Sequence, residues 1–230
     1  MPVRAVFFDL GNTLVSYYRK EEFLPVLAQS MERCLSVLSA HGYNYDFATL
    51  LPRAIAQDPG RTDHQVTPIT QRLTAIFPDP AIQALLPDLT RAFMEPVFAT
   101  ARVIDGAFEL LQSLHDRQLP LVLVSNTPWG SPAALWRSHL QDIGIAPYFG
   151  DLVFCVDTGW RKPHPAIFHH ALARAGLSAT DVLFVGDDPA WDVAGAQSVG
   201  MPVIVVNQGT YAVPPGIPVV ASLEDVLEYC

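Results

Sequence analysis

Near its amino terminus the chain reads Ala5-Val6-Phe7-Phe8-Asp9-Leu10-Gly11-Asn12-Thr13-Leu14. The first four of these residues are apolar without alternation, which is typical of a short strand that is buried on both faces. The run ends at a carboxylate, Asp9, and Gly11 permits a tight loop after it. The segment therefore predicts a buried strand that delivers one carboxylate into a loop.

Four further apolar runs have the length of strands, at residues 119 to 124, 152 to 156, 182 to 185 and 203 to 206. Helical patterns alternate with them, at residues 108 to 114, 133 to 143, 166 to 175 and 192 to 199. Strands that are apolar on both faces need helices over both. The alternation predicts an α/β fold, a Rossmann-like open parallel sheet with helices on both faces.

One stretch interrupts the alternation after the first strand. It has helical spacing at residues 23 to 38, 47 to 55, 69 to 77 and 82 to 98, with a predicted turn at Asp58-Pro59-Gly60. We therefore predict an α/β core domain at residues 1–16 and 101–230 and an inserted all-helical domain at residues 17–100. The insert is either a packing subdomain or a cap over an active site.

Composition narrows the classes of partner. Half of the 230 residues are hydrophobic, enough for a sizeable core, and the formal net charge is −9. That charge argues against a nucleic-acid partner and against an anionic membrane surface. Any anionic ligand would need a metal ion or focused cations.

Cysteine usage and the amino terminus bear on the compartment. Cys34, Cys155 and Cys230 are odd in number, and their spacing fits neither a zinc site nor a redox dithiol. No apolar run approaches the length of a membrane span, and the start lacks the pattern of a signal peptide. We expect a cytoplasmic protein, a monomer or a homodimer.

Polar residues follow three of the predicted strands. Asp9 ends the first, Ser125-Asn126-Thr127 follow the strand at 119 to 124, and Gly186-Asp187-Asp188 follow the strand at 182 to 185. In an open parallel sheet, ligands bind beyond the carboxyl ends of the strands. We therefore expect these side chains to meet at one site.

The residue types at these ends suit phosphoryl transfer. Asp9 can attack phosphorus to form an aspartyl-phosphate. Asp187 with Asp9 would suit Mg²⁺, which screens the repulsion between a carboxylate and a phosphate. Ser125 can bind phosphoryl oxygens, and Lys162 can neutralise charge that develops in transfer. Lysine is rare here, since Lys20 and Lys162 are the only two among 14 basic residues.

These elements, in this order, resemble the four motifs of the haloacid dehalogenase-like (HAD) hydrolases, and the insertion point resembles their helical-cap class. The resemblance implies that Mg²⁺ is bound by Asp9, the Gly11 carbonyl and Asp187. It implies that Asp192 acts through water or orients the loop, with Asp188 as an alternative to it. It also implies phosphate contacts from Ser125, Lys162 and the neighbouring Gly11, Asn12 and Asn126.

The chain departs from the family pattern at Gly11. Phosphatases of this family usually carry a second Asp there, which protonates the leaving group and then activates water. Loss of general acid/base help costs about 10²-fold to 10⁴-fold in rate. A good leaving group, as in an acyl or aryl phosphate, would suffer less. Tyr17, Tyr18 and His64 are conceivable substitutes, which no spacing establishes.

Several functions remain open at this point. The first is a Mg²⁺-dependent hydrolase of a small phosphorylated metabolite, slowed by Gly11. The second is a phosphate-binding or interaction module that kept the fold without turnover. The third is a dehalogenase or a phosphonate hydrolase, but a dehalogenase would carry an aromatic residue at Gly11, and a phosphonate hydrolase needs a cap lysine.

Overall fold

The computed structural model describes residues 3–57, 62–206 and 211–230; the turn predicted at Asp58-Pro59-Gly60 lies outside these residues. The strands are, in chain order, β1 Ala5–Phe8, β2 Val15–Ser16, β3 Arg102–Val103, β4 Leu121–Ser125, β5 Asp151–Phe154, β6 Val182–Gly186, β7 Val203–Val206 and β8 Val219–Val220. The α-helices are α1 Phe23–Ala40, α2 Phe47–Ala56, α3 Ile69–Ile76, α4 Leu86–Ala99, α5 Ala107–Asp116, α6 Ala133–Asp142, α7 Cys155–Thr158, α8 Pro165–Ala175 and α9 Ala194–Ser198. Among the described helices, none is both long and apolar enough to cross a membrane.

Six strands form one parallel sheet in the order β5-β4-β1-β6-β7-β8. The chain adds β4 and β5 on one side of β1 and then returns to the other side for β6, so the strand order reverses at β1. Such a reversal opens a crevice at the carboxyl ends of the central strands. The predicted Rossmann-like parallel sheet is confirmed.

Alternate residues of each strand enter two separate apolar layers. In β1, Val6 and Phe8 join the layer that contains the buried face of α5, whereas Ala5 and Phe7 join the layer under α8. This follows from the two-residue period of a strand, because successive side chains point to opposite faces. A strand with one apolar layer on each side has no room for a polar side chain before its end. Asp9, directly after β1, is therefore the first polar residue.

The helical insert enters through β2 and leaves through β3, which pair antiparallel. Its first helix, α1, buries Leu27, Met31, Cys34 and Leu38, spaced three and four residues apart, in a layer shared with α4. That spacing puts one apolar stripe along the helix, which is why α1 packs lengthwise on a neighbour. Helices α1 to α4 thus form a helical layer joined to the sheet by two adjacent strands; the domain boundaries at 17 and 100 stay a prediction.

Two helix starts differ from the sequence pattern. The helix predicted from residue 82 begins at Leu86, because Pro87 occupies its first turn and a 3₁₀ turn, Pro80–Leu85, precedes it. The helix predicted from residue 192 is preceded by a π-type turn, Pro189–Val193, which starts earlier at another proline. In both cases the proline lies in the first turn, where its missing N–H costs no hydrogen bond within the helix.

Candidate active site

Asp9, Ser125 and Asp187 lie at the carboxyl ends of β1, β4 and β6, the three central neighbours of the sheet. The register pairs Phe8 of β1 with Val185 of β6, so the residues that follow them leave the sheet side by side. The Asp9 N–H donates to the Val185 carbonyl at 2.9 Å, which extends the ladder by one residue. The sheet therefore brings together the side chains that the sequence places far apart.

Asp9, Asp187 and Asp192 form an acidic group whose carboxylate oxygens lie within 4.8 Å of one another. All three are at least nine-tenths buried. Hard oxygen donors at this separation fit Mg²⁺ or a similar divalent cation. The group includes the predicted ligands Asp9 and Asp187, and adds Asp192 rather than Asp188.

Lys162 is the cation of the site. Its ammonium donates to Asp9 at 2.5 Å and to Asp192 at 2.7 Å, and only 2% of the residue is exposed. Asn126 holds the lysine backbone, because its amide oxygen accepts from the Lys162 N–H at 2.8 Å and its amide nitrogen donates to the Lys162 carbonyl at 3.3 Å. Direct phosphate binding by Asn126 stays a prediction, and its observed contacts are positioning contacts on Lys162.

Asp188 and Asp192, which the sequence could not separate, take different positions. Asp188 accepts from the N–H groups of Ala190 and Trp191, at 2.7 and 3.3 Å, and so caps the turn that begins at Pro189. Asp192 accepts from the N–H groups of Asp187 and Asp188, both at 3.1 Å, while its other oxygen meets Lys162. Asp192 therefore orients the Asp187 loop and the lysine together.

Gly186 explains how Asp192 fits. A β-carbon at Gly186 would lie 2.4 Å from the Asp192 carboxylate, far inside contact distance. The end of β6 must therefore be glycine for the Asp192 side chain to cross it. The glycine in Gly186-Asp187-Asp188 is therefore required by a tertiary contact, the one with the Asp192 side chain.

The loop after β1 is open at Gly11. A β-carbon there would have nothing within 4 Å, and its backbone lies outside the left-handed region that Asn12 adopts at φ 57°. Thr13, which was not among the predicted site residues, donates from its hydroxyl to Asp9 at 3.3 Å. The signal that could have identified Thr13 is its place four residues after Asp9, in the same short loop.

Burial and crowding shift the pKa values of the site. Burial raises the pKa of Asp187 to about 8, and the charges of Asp9 and Asp192 add to this. Burial also raises the pKa of Asp9, to about 6, although Lys162 opposes the change. Burial alone would lower the pKa of Lys162, but Asp192 and Asp9 outweigh it and raise that pKa. Carboxylates this crowded favour a bound proton or a metal ion.

We expect Lys162→Met to lower the free energy of unfolding by about 3–5 kcal/mol in the absence of metal, at about pH 8, because Asp9 and Asp192 would stay buried without their cation. Urea denaturation measures the change. The double variant Lys162→Met/Asp192→Asn is expected to regain part of the loss. Arg4→Met is the control, since its ion pair with Asp181 is exposed and worth less than about 1 kcal/mol. Wild-type stability in Lys162→Met would contradict the prediction.

A pocket of about 200 Å³ opens beside the acidic group. Its walls come from the β1 loop, the residues after β2, the β4 end and α6, namely Leu10, Gly11, Asn12, Tyr17, Tyr18, Ser125, Asn126, Pro128 and Trp136. Two of the three conceivable acid substitutes, Tyr17 and Tyr18, lie in this wall. His64 lies instead in a separate small cavity, with its ring 5.9 Å from that of Trp191.

The parallel sheet, the helical insert after its first strand and the acidic site at the strand ends are the features expected of a HAD-type hydrolase. A sequence model of the family described as haloacid dehalogenase-like hydrolase matches residues 3–200. The chain therefore belongs to the haloacid dehalogenase-like hydrolase family and is a hydrolase.

Two relatives with assigned activities are similar over most of their length. A phosphoglycolate phosphatase of Rhodospirillum rubrum is 31% identical over 90% of this chain and 80% of its own. A glyceraldehyde 3-phosphate phosphatase of Pyrococcus abyssi is 26% identical over 90% of this chain and 82% of its own. Both are named as phosphatases of small phosphorylated metabolites.

Solved structures agree with the fold. A 2-haloacid dehalogenase from Pseudomonas syringae pv. Tomato DC3000 superposes with a TM-score of 0.72 at 23% identity, covering 99% of this chain and 97% of its own. A HAD phosphatase from Thermococcus onnurineus superposes with a TM-score of 0.65 at 22% identity, covering 98% and 97%. Because a dehalogenase and a phosphatase both match, the structural likeness identifies the fold only. The type of reaction must be inferred from the residues of the site.

Proposed function

We propose that this hydrolase is a Mg²⁺-dependent phosphatase of a small phosphorylated metabolite, working through an aspartyl-phosphate on Asp9. The observation that carries the proposal is the buried cluster of Asp9, Asp187 and Asp192 around Lys162. A metal-type carboxylate group of this kind suits an anionic substrate, and the phosphatase names of the relatives support the same reaction. Gly11, where a dehalogenase would carry an aromatic residue, counts against dehalogenation.

The donor set fits the metal. Asp9, Asp187 and the Gly11 carbonyl would hold Mg²⁺, and burial, with the charges of Asp9 and Asp192, raises the pKa of Asp187, which a bound cation would offset. When bound, Mg²⁺ would screen the repulsion between Asp9 and the phosphate and draw charge from the phosphoryl oxygens. Asp192 remains bonded to Lys162 and to two backbone N–H groups, so its role is to orient rather than to coordinate.

The chain's own residues would divide the reaction into two displacements. An Asp9 oxygen forms a bond to phosphorus while the ester P–O bond breaks, and the leaving oxygen keeps the electron pair. The Ser125 hydroxyl and backbone N–H groups would donate hydrogen bonds to the oxygens of the transferred phosphoryl group, and Lys162 would offset their charge. Water then attacks phosphorus, the P–O bond to Asp9 breaks, and inorganic phosphate leaves. At Gly11 no side chain protonates the leaving oxygen, so the first step is the slower one for poor leaving groups.

The test is phosphate release from acetyl phosphate, p-nitrophenyl phosphate and sugar phosphates, with and without Mg²⁺, beside an Asp9→Asn control. Turnover that needs both Mg²⁺ and Asp9 supports the phosphatase. Beryllofluoride, which imitates a phosphoryl group on a carboxylate, should bind in the presence of Mg²⁺ and compete with substrate. Beryllofluoride binding without turnover of any ester would favour the phosphate-binding module instead.

We expect the Mg²⁺-induced rise in Tm to grow between about pH 5.5 and about pH 8, because the metal must displace the protons that Asp187 and Asp9 hold. Both pKa values are raised in the folded protein, so these protons stabilise the metal-free fold at low pH. That stabilisation is lost as pH rises through about 6 and about 8. Thermal unfolding measures both effects.

Asp187→Asn is the matched control for this pH dependence. The variant is expected to lose most of the Mg²⁺-induced rise in Tm and to flatten the pH dependence of the metal-free protein. An equal Mg²⁺ effect in the variant and the wild type would exclude Asp187 as a ligand.

The free cysteines, two of which are buried, further support a reducing, cytoplasmic setting as part of the proposal.

A further inference from the structure

The pocket of about 200 Å³ beside Asp9 differs in character from the charged site next to it. We propose that it takes an uncharged aromatic leaving group, so that the substrate is a phosphoric monoester of a phenol-type hydroxyl. The inference rests on the proposed function and names its substrate class. Four features of the described residues carry it: the shape of the wall, its lack of charge, its volume and the open position at Gly11.

The wall is aromatic and held in place. Tyr17 meets Trp136 edge to face, with ring centroids 5.5 Å apart and planes at 77°. Trp136 in turn is fixed by a hydrogen bond from its indole N–H to Ser131 at 2.8 Å and by an edge contact with Phe98 at 5.0 Å. Fixed rings favour a flat apolar ligand, because offset and edge-on aromatic contacts add to the burial of apolar surface.

The described residues of the wall carry no charge. Two arginines, Arg72 and Arg161, line the other, smaller cavity instead. Arg72 lies over Trp129 and donates to a backbone carbonyl, and Arg161 lies over Trp191. A substrate with a second anionic group, such as a carboxylate, would therefore bury that charge without a described partner in this pocket. Burial of an unpaired charge is costly, so the wall selects against it.

The volume of the pocket and the chemistry of the leaving group both fit a substrate with a single aromatic ring. An apolar protein cavity of about 150 Å³ is enough to hold benzene, so about 200 Å³ accommodates a single aromatic ring with a small substituent. A phenol-type oxygen has a pKa of about 10, as in tyrosine, and departs without the proton that an alkyl oxygen needs. The missing acid at Gly11 and the aromatic wall therefore favour the same substrates.

Tyr17 supplies one unused donor in the wall. Its hydroxyl oxygen is buried and has no hydrogen-bond partner among the described residues. Burial and then the charge of Asp9 raise the pKa of Tyr17, so the phenol stays neutral at physiological pH. A neutral donor fits a polar substituent on an aromatic ring better than it fits a carboxylate, which prefers a cation.

The test compares KM and kcat/KM for phenyl phosphate, phosphoglycolate and acetyl phosphate with the magnesium-loaded enzyme. Acetyl phosphate has a good leaving group without a ring, so it separates leaving-group chemistry from recognition. We expect KM for phenyl phosphate to be at least about tenfold lower than for the other two. A lower KM for phosphoglycolate would overturn the inference, as would equal KM values for all three.

Two variants of the pocket wall test the inference separately, so that the result does not depend on a single substitution. Tyr18→Arg places a cation in the pocket and is expected to raise KM for phenyl phosphate and lower it for phosphoglycolate. Tyr17→Leu is expected to raise KM for phenyl phosphate by about tenfold more than for acetyl phosphate. Tyr229→Leu, at an exposed ring outside the pocket, is the control. Equal effects on all substrates in both pocket variants would overturn the inference.

The two proposals fail in different ways. Absence of phosphate release from every ester, above the Asp9→Asn background, would overturn the phosphatase and the aromatic pocket together. Turnover of acetyl phosphate or phosphoglycolate without preference for the aryl ester would overturn the pocket alone. Turnover with aryl preference that disappears in Tyr17→Leu supports both.

Discussion

Replacement of Asp9 by Asn is expected to lower kcat by at least about 10⁴-fold for every substrate, because in the proposed mechanism the carboxylate bonds to phosphorus. The neutral amide is a poor nucleophile, and it also weakens the metal site. The fold should survive, since Asn has the same shape and Thr13 can still donate to the side-chain oxygen. Lys162 keeps Asp192 as its partner. Steady-state phosphate release beside the Tm of each protein measures the two properties separately.

Asp188→Asn is the matched control for this loss. Its carboxylate caps the turn at Pro189 and lies outside the acidic group, and Asn caps a helix about as well as Asp. The control is expected to keep kcat within about tenfold of wild type. Turnover in Asp9→Asn that matches wild type would contradict the aspartyl-phosphate. A loss as deep in Asp188→Asn would contradict the assignment of the metal site to Asp187.

Introduction of the missing acid, Gly11→Asp, is expected to raise kcat toward alkyl phosphates by about 10²-fold, because a positioned general acid typically contributes that much or more. The structure has room for it: a side chain at Gly11 meets nothing within 4 Å of its β-carbon, and the backbone needs no left-handed conformation. Aryl phosphates, whose leaving groups need little protonation, should change far less. The ratio of kcat for glycerol phosphate to kcat for phenyl phosphate is the measurement.

Gly11→Asn separates acid catalysis from bulk. It adds nearly the same volume and polarity at the same place without a transferable proton, so it should leave the ratio near that of wild type. A rise in Gly11→Asp alone supports the view that Gly11 limits this enzyme to good leaving groups. Equal effects of Asp and Asn would show that another residue already supplies the acid, and Tyr17 would then be the first to replace.

The sequence by itself determined the elements and the chemical inventory of this protein. The continuous apolar runs of β1, β6 and β7 and the three-four spacing of α1 are local patterns, and local patterns report which surface of a segment is buried. Asp9 and Asp187 were recognisable because they follow such runs, and Lys162 because lysine is rare in this sequence and stands at a motif position. Pro87 also had a readable signal, and the helix start it fixes was missed only because the apolar spacing continues on both sides of it.

The tertiary structure alone decided how these parts are used. The resemblance implied that Asp192 orients the loop and left Asp188 as an alternative to it. The structure places Asp192 across Gly186, where it meets Lys162, and places Asp188 as a helix cap. Asn126 likewise became a support for the Lys162 backbone.

Trp136 lies in α6, whose sequence has no catalytic motif. It lines the pocket because it packs against Tyr17, which is distant in the chain. Contacts of this kind depend on strand order and on side-chain direction, which are set by packing between segments far apart in sequence. A local sequence pattern predicts whether a residue is buried. Which residue it contacts depends on the whole fold.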